Sequence, residues 1–417
     1  MVLQRDDHRG QTLLSLGFNG LRFGTDDVSY LRSESGAAAL ATVAELELTD
    51  ATRIGDIAAA RARFGDRAPV LVETTLLRRR ALKKLGELGD VSNWLFTDEA
   101  LQQATAAPVA LHRAGRLASG RGGPDVLVHD ATCSIGTELA ALLGSGVRAV
   151  GSDIDAVRLA MARHNLGPAA DLCRADALHP VTRDAVVVVD PARRQGGRRR
   201  LGLDEHRPAL GELIDTYHGR DLVVKCAPGI DFEHLRRLGF DGEIEVTSYH
   251  GSVREACLWS AGLARPGVHR RASVLDRGEQ ITDAEPDECP VRPAGRWIVD
   301  PDGAVVRAGL VRHYGARHGL WQLDPDIAYL SGDGLPPGVR GFEVLEQLEF
   351  DERRLRQALA ALDCGALEIL VRGVRVDPDA LRRRLRPRGD RPLSVVITRI
   401  GSGAAGRATA FVCRPSR

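Results

Sequence analysis

From about residue 120, the sequence alternates short apolar runs with helical or loop segments, and this alternation constrains the fold more than any other feature. The runs are VLVHD, VRAVGSD, DLCRAD, AVVVVD, DLVVKC, EIEVTSYH and REACLWSAG. Such alternation is typical of βαβ units around a parallel sheet. The last two runs lie too close together for a helical crossover, so they predict an antiparallel hairpin at the sheet edge. We therefore predict an α/β protein with a doubly wound, mostly parallel, seven-stranded sheet.

The length of 417 residues exceeds the size at which a single hydrophobic core stops growing, so several domains are expected. Residues 30–118 place apolar side chains at helical spacing, which predicts a helical N-terminal region over residues 1–119. The glycine-rich stretch SGRGGPD interrupts that spacing, so the sheet domain is predicted over residues 120–266. Proline- and acid-rich sequence follows, and we predict a third, α+β domain over residues 267–417.

The overall charge is close to neutral, with 57 basic and 56 acidic residues. This balance excludes a protein that is held on nucleic acid by its net charge alone, so a polyanionic partner must be bound locally. Almost all of the basic residues are arginines, which indicates the coding bias of a GC-rich genome.

The seven cysteines include no Cys-x-x-Cys pair, so neither a disulfide framework nor a zinc site is indicated. The N-terminus has no apolar core, and no later window approaches the ~18 apolar residues that a membrane span requires. We predict a cytoplasmic protein without a membrane segment or a metal site.

Four successive predicted strands end in an acidic residue: Asp130, Asp153, Asp176 and Asp190. Asp153 lies 23 residues after Asp130, which is the spacing that ribose recognition requires in doubly wound folds. Asp130 is placed to organise its turn and to bind the cationic end of a ligand, and Asp176 to accept a hydrogen bond from an adenine amino group. Taken singly, such acids are most often helix caps or solvated groups, but four in register predict one ligand site.

The run VLVHDATCSIGTELAALL predicts a buried strand, a turn of small residues and a helix. Gly136 allows close packing there, and the helix from about Thr137 offers free N–H groups. Asp155 lies beyond its strand and is interpreted as the cap of the next helix. His164 and Asn165, at the end of that helix, are also interpreted as capping groups.

At this point the sequence resembles a known family. The four acids, together with Asp190-Pro191-Ala192-Arg193, resemble motifs one to four of class I S-adenosylmethionine methyltransferases. The segment DATCSIGTE is similar to the Asp-x-x-Cys-Gly-x-Gly pattern of RNA methyltransferases, including those with THUMP domains and the cap trimethylguanosine synthases, with Ser134 where they usually have glycine. Residues 94–117 resemble the helix that precedes motif one in those enzymes. The C-terminal third resembles the THUMP-like domain of bacterial methyltransferases that carry an Asp-Pro-Ala-Arg-Arg motif.

The resemblance implies the cofactor S-adenosyl-L-methionine and the following residues around it: Asp130, Thr132, Cys133, Gly136, Glu138, Asp153, Ile154, Asp176 and Ala177. It places Asp190, Pro191, Ala192 and Arg193 beside the methyl-transfer site. Arg194, Arg198, Arg199 and Arg200 extend this segment as a basic lip suited to phosphate or to stacking on a base. We therefore expect RNA, either rRNA or tRNA, as the partner, although a solvated loop of a GC-rich genome would also explain these arginines.

Methyl transfer from a sulfonium is an in-line displacement, so the protein mainly has to align the nucleophile and stabilise the shifting charge. Asp190 can accept hydrogen bonds from an amino nucleophile and so orient its lone pair. Pro191 stiffens the loop. The aromatic residue that amino-directed DNA methylators place after this motif is missing, but the Asp-Pro pair still favours methylation of a base nitrogen over carbon.

Cys226 supplies an alternative, because pyrimidine C5 methyltransferases place a nucleophilic cysteine at the end of the fifth strand. Lys225 beside it would lower its pKa. No general base is evident for that reaction, and a buried cysteine at a strand end is more often a packing residue.

Three other classes stay open at this stage: a small-molecule methyltransferase, a non-catalytic RNA-binding or assembly protein that retains the fold, and a nicotinamide-dependent oxidoreductase. The last lacks Gly-x-Gly-x-x-Gly in its first turn. Two further arginine clusters, Arg78 to Arg80 and Arg382 to Arg386, lie on amphipathic helical patterns and would serve equally as exposed faces or as phosphate contacts.

Overall fold

The computed structural model describes residues 21–120, 125–192, 194–195, 198–199, 207–401 and 406–416. The chain divides into two compact units. The first comprises Met1–Cys226, Asp231–Phe240 and Leu258–Leu263, and the second comprises Ala227–Ile230, Asp241–Cys257 and Ala264–Arg417. The division into three domains stays a prediction.

A helical region precedes the first strand, as the sequence predicts. Its helices are α1 (Thr25–Leu31), α2 (Glu34–Ala44), α3 (Arg53–Phe64), α4 (Ala68–Leu85), α5 (Asp98–Gln103) and α6 (Ala107–Ala118). The Ser33 and Thr97 hydroxyls cap α2 and α5 by accepting backbone N–H groups. Leu71, Leu77 and Leu85 are fully buried on α4, and burial of each such leucine contributes about 1.5–3 kcal/mol.

The sheet that follows is built largely from the predicted runs. Its elements are β1 (Leu127–Asp130), α7 (Thr137–Gly144), β2 (Arg148–Asp153), α8 (Ala156–Leu166), β3 (Asp171–Arg174), β4 (Val186–Val189), β5 (Arg194–Gln195), β6 (Arg198–Arg199), α9 (Leu210–Thr216), β7 (Leu222–Cys226), α10 (Phe232–Arg237), β8 (Glu243–Tyr249), β9 (Ser252–Trp259), β10 (Arg270–Val274) and β11 (Glu279–Thr282). Strand β1 pairs in parallel with β2 and β4, and the parallel pairing continues to β3 and β7. Strand β4 is apolar and buried throughout.

The strand order is β11-β10-β8-β9-β7-β4-β1-β2-β3, which gives nine strands instead of the expected seven. The hairpin β8–β9 is therefore not at the sheet edge, because β10 and β11 extend the sheet beyond it. Strand β10 was not predicted because its sequence contains the charged Arg271. The Arg271 side chain is 2% exposed and donates to the buried Glu243 carboxylate at 2.6 Å. A buried charge with such a partner is tolerated in a strand interior, so apolar alternation alone does not reveal β10.

The second unit contains a separate seven-stranded sheet of order β13-β14-β12-β15-β18-β17-β16. Its elements are β12 (Trp297–Val299), α11 (Gly303–Arg307), α12 (Val311–His318), β13 (Trp321–Gln322), β14 (Leu330–Gly332), β15 (Gly341–Glu349), α13 (Glu352–Ala361), β16 (Cys364–Arg372), α14 (Pro378–Leu385), β17 (Arg391–Ile400) and β18 (Arg407–Pro415). The strand, helix, strand, strand pattern predicted from about Leu367 onward is confirmed by β16, α14, β17 and β18. Buried Val395, Ile397 and Val412 belong to the core under α13 and α14.

None of the helices in the described residues combines the length and the apolar character needed to cross a membrane. No cluster of three or more His, Cys, Asp or Glu side chains in the same ranges has the arrangement of a metal site.

Candidate active site

The predicted acids lie at the carboxyl ends of neighbouring strands. Asp130 is the last residue of β1 and Asp153 is the last residue of β2, while Asp190 immediately follows β4. Since β2, β1 and β4 are parallel neighbours, these three residues share one edge of the sheet. Asp176 lies two residues beyond the end of β3, which is the strand next to β2.

The turn after β1 has a conformation that the sequence signalled only in part. Ser134 has a φ of 49° and Gly136 a φ of 90°, both in the left-handed region that favours glycine. A Cβ at position 136 would lie 2.8 Å from Cδ1 of Leu166, so the turn needs glycine there for space as well. Ser134, at the position where the similar enzymes have glycine, adopts a backbone angle of the kind that glycine supplies.

Asp153 ties this turn to the second strand. Its Oδ2 accepts the backbone N–H of Ser134 at 2.8 Å, and its Oδ1 accepts that of Asp155 at the same distance. Burial raises the pKa of the Asp153 carboxyl, and the two backbone hydrogen bonds oppose that rise. The side chain of Ile154 is 61% exposed beside it. Asp155 accepts the N–H groups of Val157 and Arg158 at the start of α8, so its interpretation as a helix cap is confirmed.

Asp130 is buried at the base of the same turn, where it is 3% exposed. Its Oδ1 accepts the Thr132 N–H at 3.1 Å. Burial, reinforced by the nearby Glu138 carboxylate, raises the pKa of the Asp130 carboxyl to about 8, although Lys225 acts in the opposite direction. Burial also raises the pKa of the Cys133 thiol well above its usual range, so Cys133 is a neutral packing group.

The segment after β3 is held by an unforeseen tyrosine. Asp176 accepts the N–H of Leu178 at 2.9 Å, which forms a local Asx-type turn. The buried hydroxyl of Tyr217 donates to the Ala177 carbonyl at 2.6 Å. Tyr217 thus fixes a backbone position that the sequence assigns to the cofactor site.

Asp190 is the exposed end of a chain of alternating charges. Its Oδ2 lies 2.7 Å from Nζ of Lys225, which is also 3.7 Å from Oε2 of Glu138. Arg113 in turn donates from Nη1 to both Glu138 oxygens at 2.6 Å. The Asp190 backbone N–H donates to Oγ1 of Thr132 at 2.7 Å, which joins the loop after β4 to the turn after β1. The structure therefore brings Glu138, Thr132 and Asp190 together through Lys225 and backbone contacts.

After Pro191, the described backbone shows antiparallel pairing at two places. Ala192 and Arg207 exchange backbone hydrogen bonds of 2.9 and 3.1 Å, and β5 pairs antiparallel with β6 farther out. Arg193 and Arg200 lie outside the described residues. The same holds for the side chains of Arg194, Arg198 and Arg199, so the basic lip stays a prediction.

Lys225 and Cys226 do not form the pair that the alternative mechanism requires. They are adjacent on β7, and successive side chains of a strand point to opposite faces. The ammonium of Lys225 faces the Asp190 and Glu138 carboxylates. Cys226 itself is 2% exposed. Lys225 is thus paired with Asp190 of the predicted catalytic loop and with Glu138 on α7.

The contact of Arg113 with the site was not predicted, and the capping role predicted for Asn165 is wrong. Arg113 falls on the buried face of α6 with Ala110 and Leu117, and a charge at helical spacing on an apolar face is the signal that could have revealed a buried partner. Neither His164 nor Asn165 is a capping group: the His164 ring contacts the Asn93 carbonyl at 3.0 Å, outside its own helix. The Asn165 side chain accepts from the Leu95 N–H and donates to the carbonyls of Leu95 and Ile135 at 2.7, 3.1 and 2.9 Å. It therefore connects the segment before α5 to the turn after β1.

The first of the two helical arginine clusters is structural in the described chain. Arg78 donates to the carbonyls of Asn93 and Trp94, and Arg79 donates to carbonyls at the end of α2. Arg80 pairs with Asp98. These contacts join α4 to the end of α2, to the segment before α5 and to α5 itself.

The second cluster is largely committed as well. Arg382 pairs with Asp379 and donates to the Leu367 carbonyl. Arg384 pairs with Glu352. The remaining members of Arg382 to Arg386 keep the open interpretation as an exposed face or a phosphate contact.

Comparison with known proteins agrees with this geometry. A family model described as THUMP domain-like matches residues 339–415. Two curated proteins from two strains of Mycobacterium tuberculosis, each named as an uncharacterized S-adenosylmethionine-dependent methyltransferase, are 77% identical over 363 residues, which is 86% of this chain and 100% of theirs. A crystal structure of a proposed methyltransferase from Porphyromonas gingivalis has a TM-score of 0.71 at 19% identity and covers 95% of this chain and 100% of that one.

A doubly wound sheet with a turn of small residues after its first strand and acids along its carboxyl edge defines the class I methyltransferase fold. The chain belongs to the S-adenosylmethionine-dependent methyltransferases and carries a THUMP-like domain at its C-terminus. It is therefore an enzyme, and S-adenosyl-L-methionine is its cofactor.

The residues present fit this cofactor. Helix α7 begins at Thr137 without a side-chain cap, so its first backbone N–H groups can bind a ligand at this edge of the sheet. The exposed face of Ile154 offers an apolar surface to an aromatic base next to the Asp153 carboxylate. The buried Asp130 carboxyl would ionise on contact with the ammonium of an amino acid end, because a nearby positive charge lowers its pKa from about 8.

Proposed function

We propose that the protein methylates a nitrogen of a base in RNA, with rRNA or tRNA as the substrate. The observation that carries this proposal is the state of Asp190. Its backbone and one carboxylate oxygen are held by Thr132 and Lys225, while no partner of Oδ1 is found among the described residues. The side chain is 30% exposed, so that oxygen can accept a hydrogen bond from a substrate N–H.

We assign the following residues to the cofactor: Asp130, Thr132, Cys133, Gly136, Asp153, Ile154, Asp176 and Ala177. Glu138 acts on the site through Lys225, because its two oxygens face Arg113 and the Lys225 ammonium. When bound, S-adenosyl-L-methionine supplies an electrophilic methyl group on a sulfonium. The protein supplies alignment: Asp190 orients the amino nucleophile, and Pro191 limits the freedom of the loop.

Two features support RNA as the substrate. The four predicted substrate residues, Arg194, Arg198, Arg199 and Arg200, follow the Asp190 loop closely in the sequence, and β5 pairs with β6 within this stretch. Guanidinium groups bind phosphate with paired N–H donors and stack on bases. The THUMP domain-like match over residues 339–415 agrees with the resemblance to RNA methyltransferases that carry such domains.

Methylation of a pyrimidine carbon is disfavoured by the surroundings of Cys226. A nucleophilic thiolate needs access to the substrate and a cation that stabilises it. Cys226 is 2% exposed, and the adjacent Lys225 forms ion pairs with two carboxylates. We therefore expect Cys226→Ser to retain full activity.

The proposal is tested by mass spectrometry of the modified nucleosides in total RNA from cells with and without the gene. We expect one methylated base to disappear on deletion and to return with the wild-type gene or with Cys226→Ser. Asp190→Ala should leave it reduced at least about 100-fold, the loss that misalignment of reacting groups can cause. Unchanged RNA on deletion would contradict the choice of substrate and favour a small molecule, whereas full restoration by Asp190→Ala would remove Asp190 from the mechanism.

A further inference from the structure

The position of Lys225 is unusual in this chain. Only three of its 57 basic residues are lysines, namely Lys83, Lys84 and Lys225. Lys225 is also buried, with its side chain 7% exposed in an otherwise apolar strand. A coding bias toward arginine makes arginine the default cation here. A lysine at a buried position therefore indicates a need for a compact ammonium instead of a wider, planar guanidinium.

Burial of this ammonium requires carboxylates on more than one side. Asp190 lies at 2.7 Å from Nζ and Glu138 at 3.7 Å. Glu138 is 5% exposed and is itself fixed by Arg113, which is 2% exposed. The row Arg113, Glu138, Lys225, Asp190 alternates in charge, and it anchors the ammonium from behind in a rigid, buried setting.

The front of the row is a carboxylate with one oxygen committed. Lys225 engages Oδ2 of Asp190, and Oδ1 has no partner within the part of the chain that the structure describes. Rotation of the carboxylate is therefore limited by the ammonium at one oxygen and by the Thr132 hydrogen bond to the backbone. A substrate group that meets Oδ1 finds an acceptor at a defined place.

We infer that Lys225 is a positioning residue that holds Asp190 by one oxygen so that the other accepts an N–H of an exocyclic amino nucleophile. This inference rests on the proposed function and narrows its substrate class, because a ring nitrogen without a hydrogen would gain nothing from that acceptor. In this role Lys225 acts on the substrate through Asp190. If the ion pair were purely structural, loss of Lys225 would lower stability, and its effect on the rate of transfer would not depend on Asp190.

The ion pair is tested without any substrate. Protein labelled with ¹⁵N at lysine Nζ should give signals from three ammonium groups, and Lys225→Met assigns one of them. We expect Asp190→Asn to shift the Lys225 signal and to leave those of Lys83 and Lys84 in place. An unmoved Lys225 signal would overturn the inference, whatever the substrate proves to be.

The positioning role is tested by a double-mutant cycle. The probe is total RNA from cells that lack the gene, with labelled S-adenosyl-L-methionine in single-turnover conditions. Lys225→Met should slow transfer about 30- to 100-fold in the wild-type background. In the Asp190→Asn background it should slow transfer less than about threefold, because two residues that act as one unit are not additive. The matched control, exposed Lys83→Met, should change neither rate.

The possible outcomes separate the two proposals. Equal losses in both backgrounds would overturn the positioning role, since Lys225 would then act independently of Asp190. If wild-type protein methylates no RNA while Asp190→Asn still shifts the Lys225 signal, the RNA substrate is wrong and the ion pair stands. If Lys225→Met does not fold, as judged by its melting temperature and its affinity for S-adenosylhomocysteine, Lys225→Arg replaces it in the same cycle. The effect of that variant should likewise vanish in the Asp190→Asn background.

Discussion

At the scale of single residues, the buried Asp130 links the cofactor site to the pH dependence of stability. Burial raises the pKa of its carboxyl to about 8 from an ordinary value of 3.8. Between these values the folded protein binds a proton that the unfolded chain has released. The contribution of Asp130 to stability is therefore present in full below pH 3.8 and declines as the pH rises toward 8.

This linkage predicts a difference between wild type and Asp130→Asn. The melting temperature of the cofactor-free wild type should fall relative to that of the variant as the pH rises from 5 to 8, because the variant has no proton to lose at this position. Differential scanning fluorimetry across that range measures the difference, in which other titrating groups cancel. A constant gap between the two curves would show that the carboxyl is already ionised at pH 5.

The position of each acid at the end of a strand could be predicted, because the apolar run before it is visible in the local sequence. The partners of those acids could not be predicted in the same way. Lys225 follows Asp190 by 35 positions and Arg113 precedes Glu138 by 25, and only the folded sheet brings such pairs into contact. A charge in an apolar run gives the sign that a partner exists, without its identity.

At the scale of elements, α8 does more than cover the sheet. Asn165, near the end of α8, accepts the N–H of Leu95 and donates to the carbonyl of the same residue. It also donates to the Ile135 carbonyl in the turn after β1. The sequence suggested a cap because asparagine is common at helix ends. Its actual contacts span 70 and 30 positions in the chain, so local pattern could not disclose them.

Asn165→Ala should therefore loosen the turn as well as the helix. The three lost hydrogen bonds are expected to lower the free energy of unfolding by about 2–3 kcal/mol, and the affinity for S-adenosylhomocysteine should fall several-fold. Chemical denaturation and calorimetry measure the two effects. The neighbouring His164→Ala is the control, since its half-buried ring makes one hydrogen bond, to the Asn93 carbonyl. Equal effects of both variants would contradict a special role for Asn165.

Strand β10 is an element that was not predicted, and the reason is physical. Strand β10 reads as polar because Arg271, Ser273 and their partners Glu243 and Glu245 satisfy one another inside the unit. Binary patterning treats such residues as exposed, although paired polar groups can be buried. Strands β1, β2, β4 and β7 were predictable because apolar residues dominate them.

At the scale of the whole molecule, near-neutral charge is compatible with a polyanionic substrate because binding can be local. Many of the arginines in the second unit are already paired, such as Arg340 with Glu368 and Arg414 with Glu343. The predicted substrate arginines, Arg194 to Arg200, follow Asp190 within ten residues of the sequence. The fold class thus follows from the sequence and the site's location stays a prediction, while the identity of the substrate depends on surfaces that composition does not resolve.

The central claim is that the acids at the strand ends surround one bound cofactor. Isothermal titration calorimetry with S-adenosylhomocysteine tests it most directly, because Asp153 and Asp155 form a matched pair two residues apart. Asp155 caps α8, whereas Asp153 is assigned to the ribose. The account predicts that Asp153→Ala weakens binding at least about tenfold, the cost of about one lost charge-assisted hydrogen bond, and that Asp155→Ala changes it less than about threefold. Equal affinities for wild type and Asp153→Ala, or no binding by the wild type at all, would contradict it.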